Sequence, residues 1–386
     1  MKLPTGVLFV ATSLSIGTLS YGQTSPANAM ESAHQGAPIT TSNLWSHDNL
    51  YVWDVVDSLH RGPEERAQLL ERMGFKHYAY FAGSEVETRT IRHELKDIHG
   101  DPEAQITALQ RHGIDVVAWY FWDDADDPQV RATFELFKKH NIHPQIWVPN
   151  KRDWVFSMGG GGETMVALHT PVGYDLPKTP EEWDHLSAAQ MTEWWKLWEK
   201  LEDEEMPKTE AEQQHRVAQE AIRIRAFAKL AARYGCTVAL YNELGRWYGN
   251  EENELAIVKY LNRQGVTNVG LVYNFSHPTN GRDYDDTKHF PQLWRKIQPH
   301  VVAVNITAVG GDGLDLSQGE SELEMMRTIQ ESGWKGPIGV EVHHRGDAAV
   351  ILQNDLIGLD WLSAELKQSG SGGMRPKLPD SQKYGN

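Results

Sequence analysis

Cysteine is almost missing from this chain: among 386 residues there is only Cys236. No intrachain disulfide can form, and no Cys/His cluster has the spacing of a zinc site. Cys236 sits in Arg-Tyr-Gly-Cys-Thr-Val at 233–238, with Arg233 as its nearest cation. That setting favours a small buried side chain over a reactive thiol. Basic charge is also in deficit, with 37 Lys and Arg against 53 Asp and Glu and a formal net charge of -16. An acidic chain is a poor match for nucleic acid or an anionic membrane surface, and its charge serves solubility first. There is no repeat of short period.

Long apolar runs are lacking as well. The uncharged stretch 6–20 is too short to span a bilayer comfortably, so no stable membrane insertion is expected. It follows Lys2 and precedes small residues at Ser20-Tyr-Gly22 and Ala27-Asn-Ala29, which reads as an export signal over 1–29 cleaved after Gly22 or Ala29. A retained anchor is the alternative. Export without disulfides fits a bacterial periplasm, or secretion. Residues 30–46 read as a flexible leader.

What is present is a globular composition, 40% hydrophobic and 23% charged. Short apolar stretches alternate with helix-length segments from Tyr51 onward. Strands are expected at 50–53, 78–81, 116–120, 145–148, 238–241, 269–273, 301–304 and 338–340. Between and after them, helices are expected at 63–73, 101–112, 128–140, 215–234, 251–264, 287–297, 320–332 and 347–366. Ser317-Gln-Gly-Glu320 reads as a capping box. Such alternation implies a parallel sheet. Eight strands and eight helices give a (β/α)8 TIM barrel of the α/β class over 47–366, with a long insertion after the fourth strand. That insertion, 151–210, carries a four-glycine run at 159–162 and several tryptophans, and reads either as a lid with a short helix at 180–201 or as a peripheral insertion whose tryptophans pack against the barrel wall. The tail 367–386 is expected to be disordered.

The strand ends carry the chemistry, because a parallel barrel gathers them at one mouth. Asn242 and Glu243 follow one strand, Asn274 and His277 the next, Asn305 the next, and Glu341, His343 and His344 the last. Glu243 and Glu341 are candidate acid/base groups and candidate ligands of a divalent cation, with His277 as a third ligand. Asn242, Asn274 and Asn305 offer amides to sugar hydroxyls. Asp54 and Asp57 at the first strand and His343 at the last are further candidates. Trp119, Trp122 and Trp247 offer ring faces for a sugar to stack on, although most of the 14 tryptophans are packing.

Several stretches resemble the xylose isomerase-like barrel family, also called sugar phosphate isomerase/epimerase-like. They are Leu240-Tyr-Asn242 with Trp247-Tyr-Gly249 and Asn253, the run Asn-Val-Gly-Leu-Val-Tyr-Asn at 268–274, Gln318-Gly-Glu320, the run at 332–339, and the run at 354–361. The resemblance covers about 51–362. It implies a TIM barrel and a divalent metal (Mn, Mg, Co or Zn) held by Glu, Asp, His and Glu on the last four strands, with the glutamates moving a proton beside a carbonyl. Glu341 matches the last Glu, and Glu243 lies near the first, a place that Asn242 or Tyr241 also contests. The Asp position falls on Asn274, with His277 downstream, and the His position falls on Asn305. The expectation is an exported sugar isomerase or epimerase acting on a small carbohydrate, metal-assisted. Two alternatives stay open: a lyase eliminating the aglycone from a 3-keto-glycoside, and a non-catalytic carbohydrate-binding barrel. A zinc endonuclease relative is disfavoured by the acidic surface.

Overall fold

The computed structural model describes residues 43–53, 61–81, 101–121, 123–149, 156–158, 165–167, 187–242, 247, 249–275, 288–309, 314–341 and 347–379. Eight strands close into a parallel barrel: β1 (Leu50–Trp53), β2 (His77–Phe81), β3 (Asp115–Tyr120), β4 (Gln145–Pro149), β7 (Thr237–Tyr241), β8 (Val269–Asn274), β9 (Val301–Ile306) and β10 (Ile338–Glu341). Closure is made by β1 on β10, with Tyr51 opposite Gly339 and Trp53 opposite Glu341. Between β4 and β7 lie a small antiparallel hairpin, β5 (Phe156–Met158) with β6 (Met165–Ala167), and helix α4 (Ala188–Glu205). This is the expected barrel with its excursion after the fourth strand, and the helix there starts and ends later than the 180–201 expected.

The barrel helices are α1 (Pro63–Arg72), α2 (Pro102–Arg111), α3 (Pro128–His140), α5 (Glu210–Arg233), α6 (Glu251–Asn262), α7 (Phe290–Ile297), α8 (Glu322–Glu331) and α9 (Ala348–Lys367). The first three open on proline, which lacks the N–H that a first helical residue would leave unpaired. Asp101 and Asp127 cap α2 and α3 by accepting from backbone N–H groups of the first turn. α5 starts five residues before the expected 215, because Thr209 and Glu212 form a reciprocal capping box.

Period-2 alternation divides the strand side chains between two cores. Along β7, Val238 and Leu240 pack outward against helices, whereas Ala239 and Tyr241 fill the barrel. The outward layer is the larger and holds the fold together, at about 1.5–3 kcal/mol for each large apolar side chain fully buried. Cys236 is buried, and desolvation pushes its thiol up to about 12, in keeping with a packing role.

Three expectations are corrected. The end of the leader is packed rather than loose: Leu44 and Trp45 are buried, Trp45 Nε1 donates to Gln330 Oε1 (2.9 Å), and Asn49 Nδ2 donates to Leu44 O (2.8 Å). Ser317 does not cap a helix. It takes a left-handed φ of 74°, and α8 begins later, with the Glu322 carboxylate accepting from the N–H of Gly319 (2.9 Å). The tail is not disordered through Pro379. Gly370 and Gly372 donate to Glu365 (2.7 and 2.8 Å), Trp361 Nε1 donates to Gly373 O (3.3 Å), and Arg375 stacks over Trp361. Gln318 then donates to Pro376 O (3.2 Å) and Asn354 to Pro379 O (2.9 Å). The Gly, Ser and Pro composition hid these partners, which are supplied by α9 and by the chain just after β9.

Two outcomes follow. Truncation after Lys367 is expected to lower the melting temperature by several degrees, about 2–4 °C for each kcal/mol of lost contacts; an unchanged melt would restore the disordered reading. His112 bridges Glu71 (2.6 Å) and Glu64 (2.9 Å), and these hydrogen bonds raise its pKa while that of Glu64 is lowered. The His112 contribution to stability is full below the unfolded histidine pKa of about 6.5 and lost as pH rises through the higher folded value. The Glu64 contribution is lost as pH falls through its lowered value. An NMR titration of His112 should therefore place its midpoint above that of the His112 signal in unfolded chain.

Candidate functional site

The C-terminal end of the barrel has an aromatic half and an amide half. Trp53 ends β1, Tyr120 ends β3, Tyr241 ends β7, and Trp147 lies on β4. All four point into the barrel and are buried. Trp53 sits at the centre of the group, its ring 4.9 Å from Trp147, 5.3 Å from Tyr241 and 5.5 Å from Tyr120. Its Nε1 donates to the Tyr241 hydroxyl (2.7 Å), and Trp147 Nε1 donates to Gln145 Oε1 (2.8 Å), so both indoles meet a partner.

Opposite them, three strand-end asparagines form a continuous chain. The Tyr51 hydroxyl donates to Asn305 Oδ1 (2.5 Å). Asn305 Nδ2 donates to Asn274 Oδ1 (2.5 Å), and Asn274 Nδ2 donates to Asn242 Oδ1 (2.9 Å). Asn242 Nδ2 donates to Glu251 Oε1 (3.0 Å) in the first turn of α6. The direction is fixed by the backbone, because the N–H of Asn274 also donates to Asn242 Oδ1 (3.1 Å), and a flipped amide would set two donors against each other. Glu251 agrees with that direction: its carboxylate accepts, and a helix N-terminus favours a carboxylate. Every member of the ladder is buried. Gly339 makes room for it, since a Cβ there would lie 2.2 Å from Asn305 Oδ1 and 2.4 Å from the Tyr51 ring.

Asn242, Asn274 and Asn305 are thus brought together as the sequence suggested. Trp119 and Trp247 are not at the mouth. Trp119 faces the helices, its ring 5.1 Å from Phe137 and 4.2 Å from Tyr80. Trp247 packs in the same outer layer, where its Nε1 donates to Gln213 Oε1 (2.6 Å) and Arg216 stacks over its ring. Both are walls of the fold, not platforms for a sugar. Glu341 closes β10 in register with Trp53, and its side chain lies outside the described part. Asp54, Asp57, Trp122, Glu243, His277, His343 and His344 lie outside the described residues.

Sequence reasoning missed Tyr51, Trp53, Tyr120, Trp147 and Glu251. For the aromatics the signal was parity: Ala118 and Tyr120 share the inner face of β3, and Trp119 takes the outer one. Glu251 left no such signal, because nothing in the sequence pairs a helix-start glutamate with a strand-end asparagine.

A divalent cation fits the described donors poorly. The three amides are neutral, and their oxygens already accept from Tyr51, Asn305 and Asn274. Hard divalent ions want carboxylate oxygens that can turn toward them, and softer ones want imidazole or thiolate. Among the described residues no three His, Cys, Asp or Glu side chains are grouped to hold a metal ion.

No protein-family model matches the chain, and no curated protein does. Solved structures do resemble it. One is a 3-keto-D-glucoside 4-epimerase from E. coli, 13% identical over 81% of this chain and 98% of that one, TM-score 0.48. Another is a xylose isomerase-like TIM barrel protein from Mycobacterium smegmatis in complex with magnesium, 14% identical over 78% and 89%, TM-score 0.44. A third is an AP endonuclease of family 2 from Brucella melitensis, 15% identical over 78% and 95%, TM-score 0.45. These neighbours are of the kind the sequence motifs resemble. At such distances the likeness carries no argument, and the activities are those of the other proteins. The barrel itself stands on its eight parallel strand pairings.

If the outer tryptophans are walls, Trp119→Phe should lower stability by about 0.5–3 kcal/mol and leave any sugar-induced rise in melting temperature unchanged. Trp53→Phe, which loses the bond to Tyr241, should alter that rise. A sugar response abolished by Trp119→Phe and untouched by Trp53→Phe would reverse the assignment.

Proposed function

We propose that the chain is a sugar-modifying enzyme of the isomerase/epimerase type, taking a proton from carbon beside a carbonyl of a small carbohydrate. The observation that carries this reading is the joined ladder of Asn242, Asn274 and Asn305 beside the Trp53 cluster, at the barrel end where Glu341 closes β10. Aromatic faces suit sugar CH groups, and directed amides suit hydroxyl and carbonyl oxygens.

Glu341 and Glu243 are the proposed acid/base pair. One carboxylate removes the C–H proton, and the electron pair moves onto the carbonyl oxygen to give an enediolate. Transfer of the hydroxyl proton from one enediolate oxygen to the other, with return of the carbon-bound proton to the neighbouring carbon, isomerises the sugar, and return of the proton to the opposite face of the same carbon epimerises it. From a 3-keto-glycoside the same carbanion expels the aglycone from C1, so the lyase differs in product rather than in first step. His277, His343 and Asp54, which follow strand ends in the sequence, are retained as substrate or ligand candidates. The ladder lends no support to a divalent cation, and no step is assigned to one. Export to the periplasm or beyond belongs to the same proposal and rests on Lys2, the uncharged stretch 6–20 and the small residues after it. No described helix is long and apolar enough to cross a membrane.

The test is incubation in D2O with free sugars and with 3-keto-glycosides, followed by NMR of the recovered carbohydrate. Carbon-bound deuterium is the expected result, and Glu341→Gln should slow its uptake about 10²–10⁴-fold, the usual worth of a positioned base. Uptake at full rate in that variant removes Glu341 from the mechanism. A sugar-dependent melting shift with no deuterium uptake would leave a carbohydrate-binding barrel instead.

A further inference from the structure

The places where the family resemblance implies an Asp and a His ligand are occupied here by Asn274 and Asn305, and these two are hydrogen-bonded to each other. We infer that the ladder stands in for the cation: the described side chains at the ends of β7, β8 and β9 hold no divalent metal, and a neutral, one-way chain of hydrogen bonds does the orienting there.

Three observations carry this. First, each amide oxygen is already an acceptor within the ladder, and Asn242 Oδ1 accepts twice, from the backbone N–H and the Nδ2 of Asn274. At Asn242 Oδ1 both lone pairs are taken, so a cation there would have to displace a donor and leave a buried N–H unpaired, at about 1–3 kcal/mol. Second, the carboxylate bonded to the ladder, Glu251, receives the N–H of Asn242, so its charge is directed at the ladder's end. Third, the packing is tight on the remaining side, where Asn305 Oδ1 and Tyr51 press against the bare backbone of Gly339. An ion and its shell of water would need that space.

The ladder also offers something a cation would otherwise supply. Asn305 Nδ2 gives one N–H to Asn274, and its second N–H has no partner among the described residues. The fixed direction of the chain guarantees that this position presents a donor. A donor is what a carbonyl oxygen gaining negative charge requires, and removing one such donor typically costs about 10²–10³ in rate. This part of the inference rests on the proposed proton abstraction; the metal part does not.

The experiment is a metal content measurement by mass spectrometry on the full chain after exposure to Mn²⁺, Mg²⁺, Co²⁺ and Zn²⁺ and desalting, paired with melting curves in EDTA and in each metal. The wild type is expected to retain substoichiometric metal and to melt alike in all conditions. Asn274→Asp with Asn305→His restores two ionisable ligands on neighbouring strand ends. That variant should gain a melting temperature that rises with Mn²⁺ or Zn²⁺ concentration, as binding linkage requires. A stoichiometric ion in the wild type that is lost in Asn274→Ala would overturn the inference. The wild-type measurement decides even if the double variant fails to fold.

Failure of the functional reading looks different. A metal-free wild type without deuterium exchange on any sugar leaves the ladder inference intact and removes the enzyme. Exchange that requires metal, and that disappears together with the metal in Asn274→Ala, does the reverse. Asn305→Asp is the check on the spare donor: it removes both Nδ2 donors and so lowers the melting temperature as well, and exchange slowed about 10²-fold or more at a temperature where the variant is still folded supports the donor role, whereas exchange at the wild-type rate removes it.

Discussion

A buried amide must find partners. Left unpaired, each donor or acceptor costs on the order of 1–3 kcal/mol, and three asparagines on adjacent strand ends of a closed barrel could cost more than a domain's net stability. This barrel meets that constraint by making the asparagines partners of one another. The Asn274 backbone N–H sets the direction, Glu251 terminates the chain at one end, and the Tyr51 hydroxyl adapts at the other. Strand register, the start of α6 and the glycine at 339 all serve this arrangement. A one-residue slip in β8 or β9 would turn an amide out into the helical layer.

The ladder explains why this half of the barrel can be polar while the opposite half is packed with rings. Trp53, Tyr120, Trp147 and Tyr241 fill the β1–β7 side, and each indole finds a partner for its N–H. The floor that results has a hydrophobic, ring-lined half and a directed amide half. Sugars have the same two-sided character, with CH faces and hydroxyl edges. The proposed chemistry needs only a base above this floor, and Glu341 ends the strand that lies between the two halves.

Much of the fold was legible in the sequence. Strand positions came from short apolar runs, and helix starts came from Asp-Pro and Gly-Pro pairs, both of which are local signals. The ends of the chain were less legible. Leu44, Trp45 and the segment through Pro379 look like loose polar tails until the partners on α8, α9 and the chain after β9 are in place. In the site, the asparagines could be found because they end strands. The aromatics were misassigned by one residue, Trp119 in place of Tyr120, because period-2 alternation does not say which face is inward. Glu251 could not be found at all, since its role depends on α6 delivering it to a strand nine residues back.

The central claim is the direction of a hydrogen-bond chain, and hydrogens decide it. A neutron structure of the deuterium-exchanged protein would locate them. The account predicts deuterons or protons on Asn242 Nδ2 toward Glu251, on Asn274 Nδ2 toward Asn242, on Asn305 Nδ2 toward Asn274, and on the Tyr51 hydroxyl toward Asn305. An amide found reversed, or scattering density for an ion between Asn274 and Asn305, would contradict it.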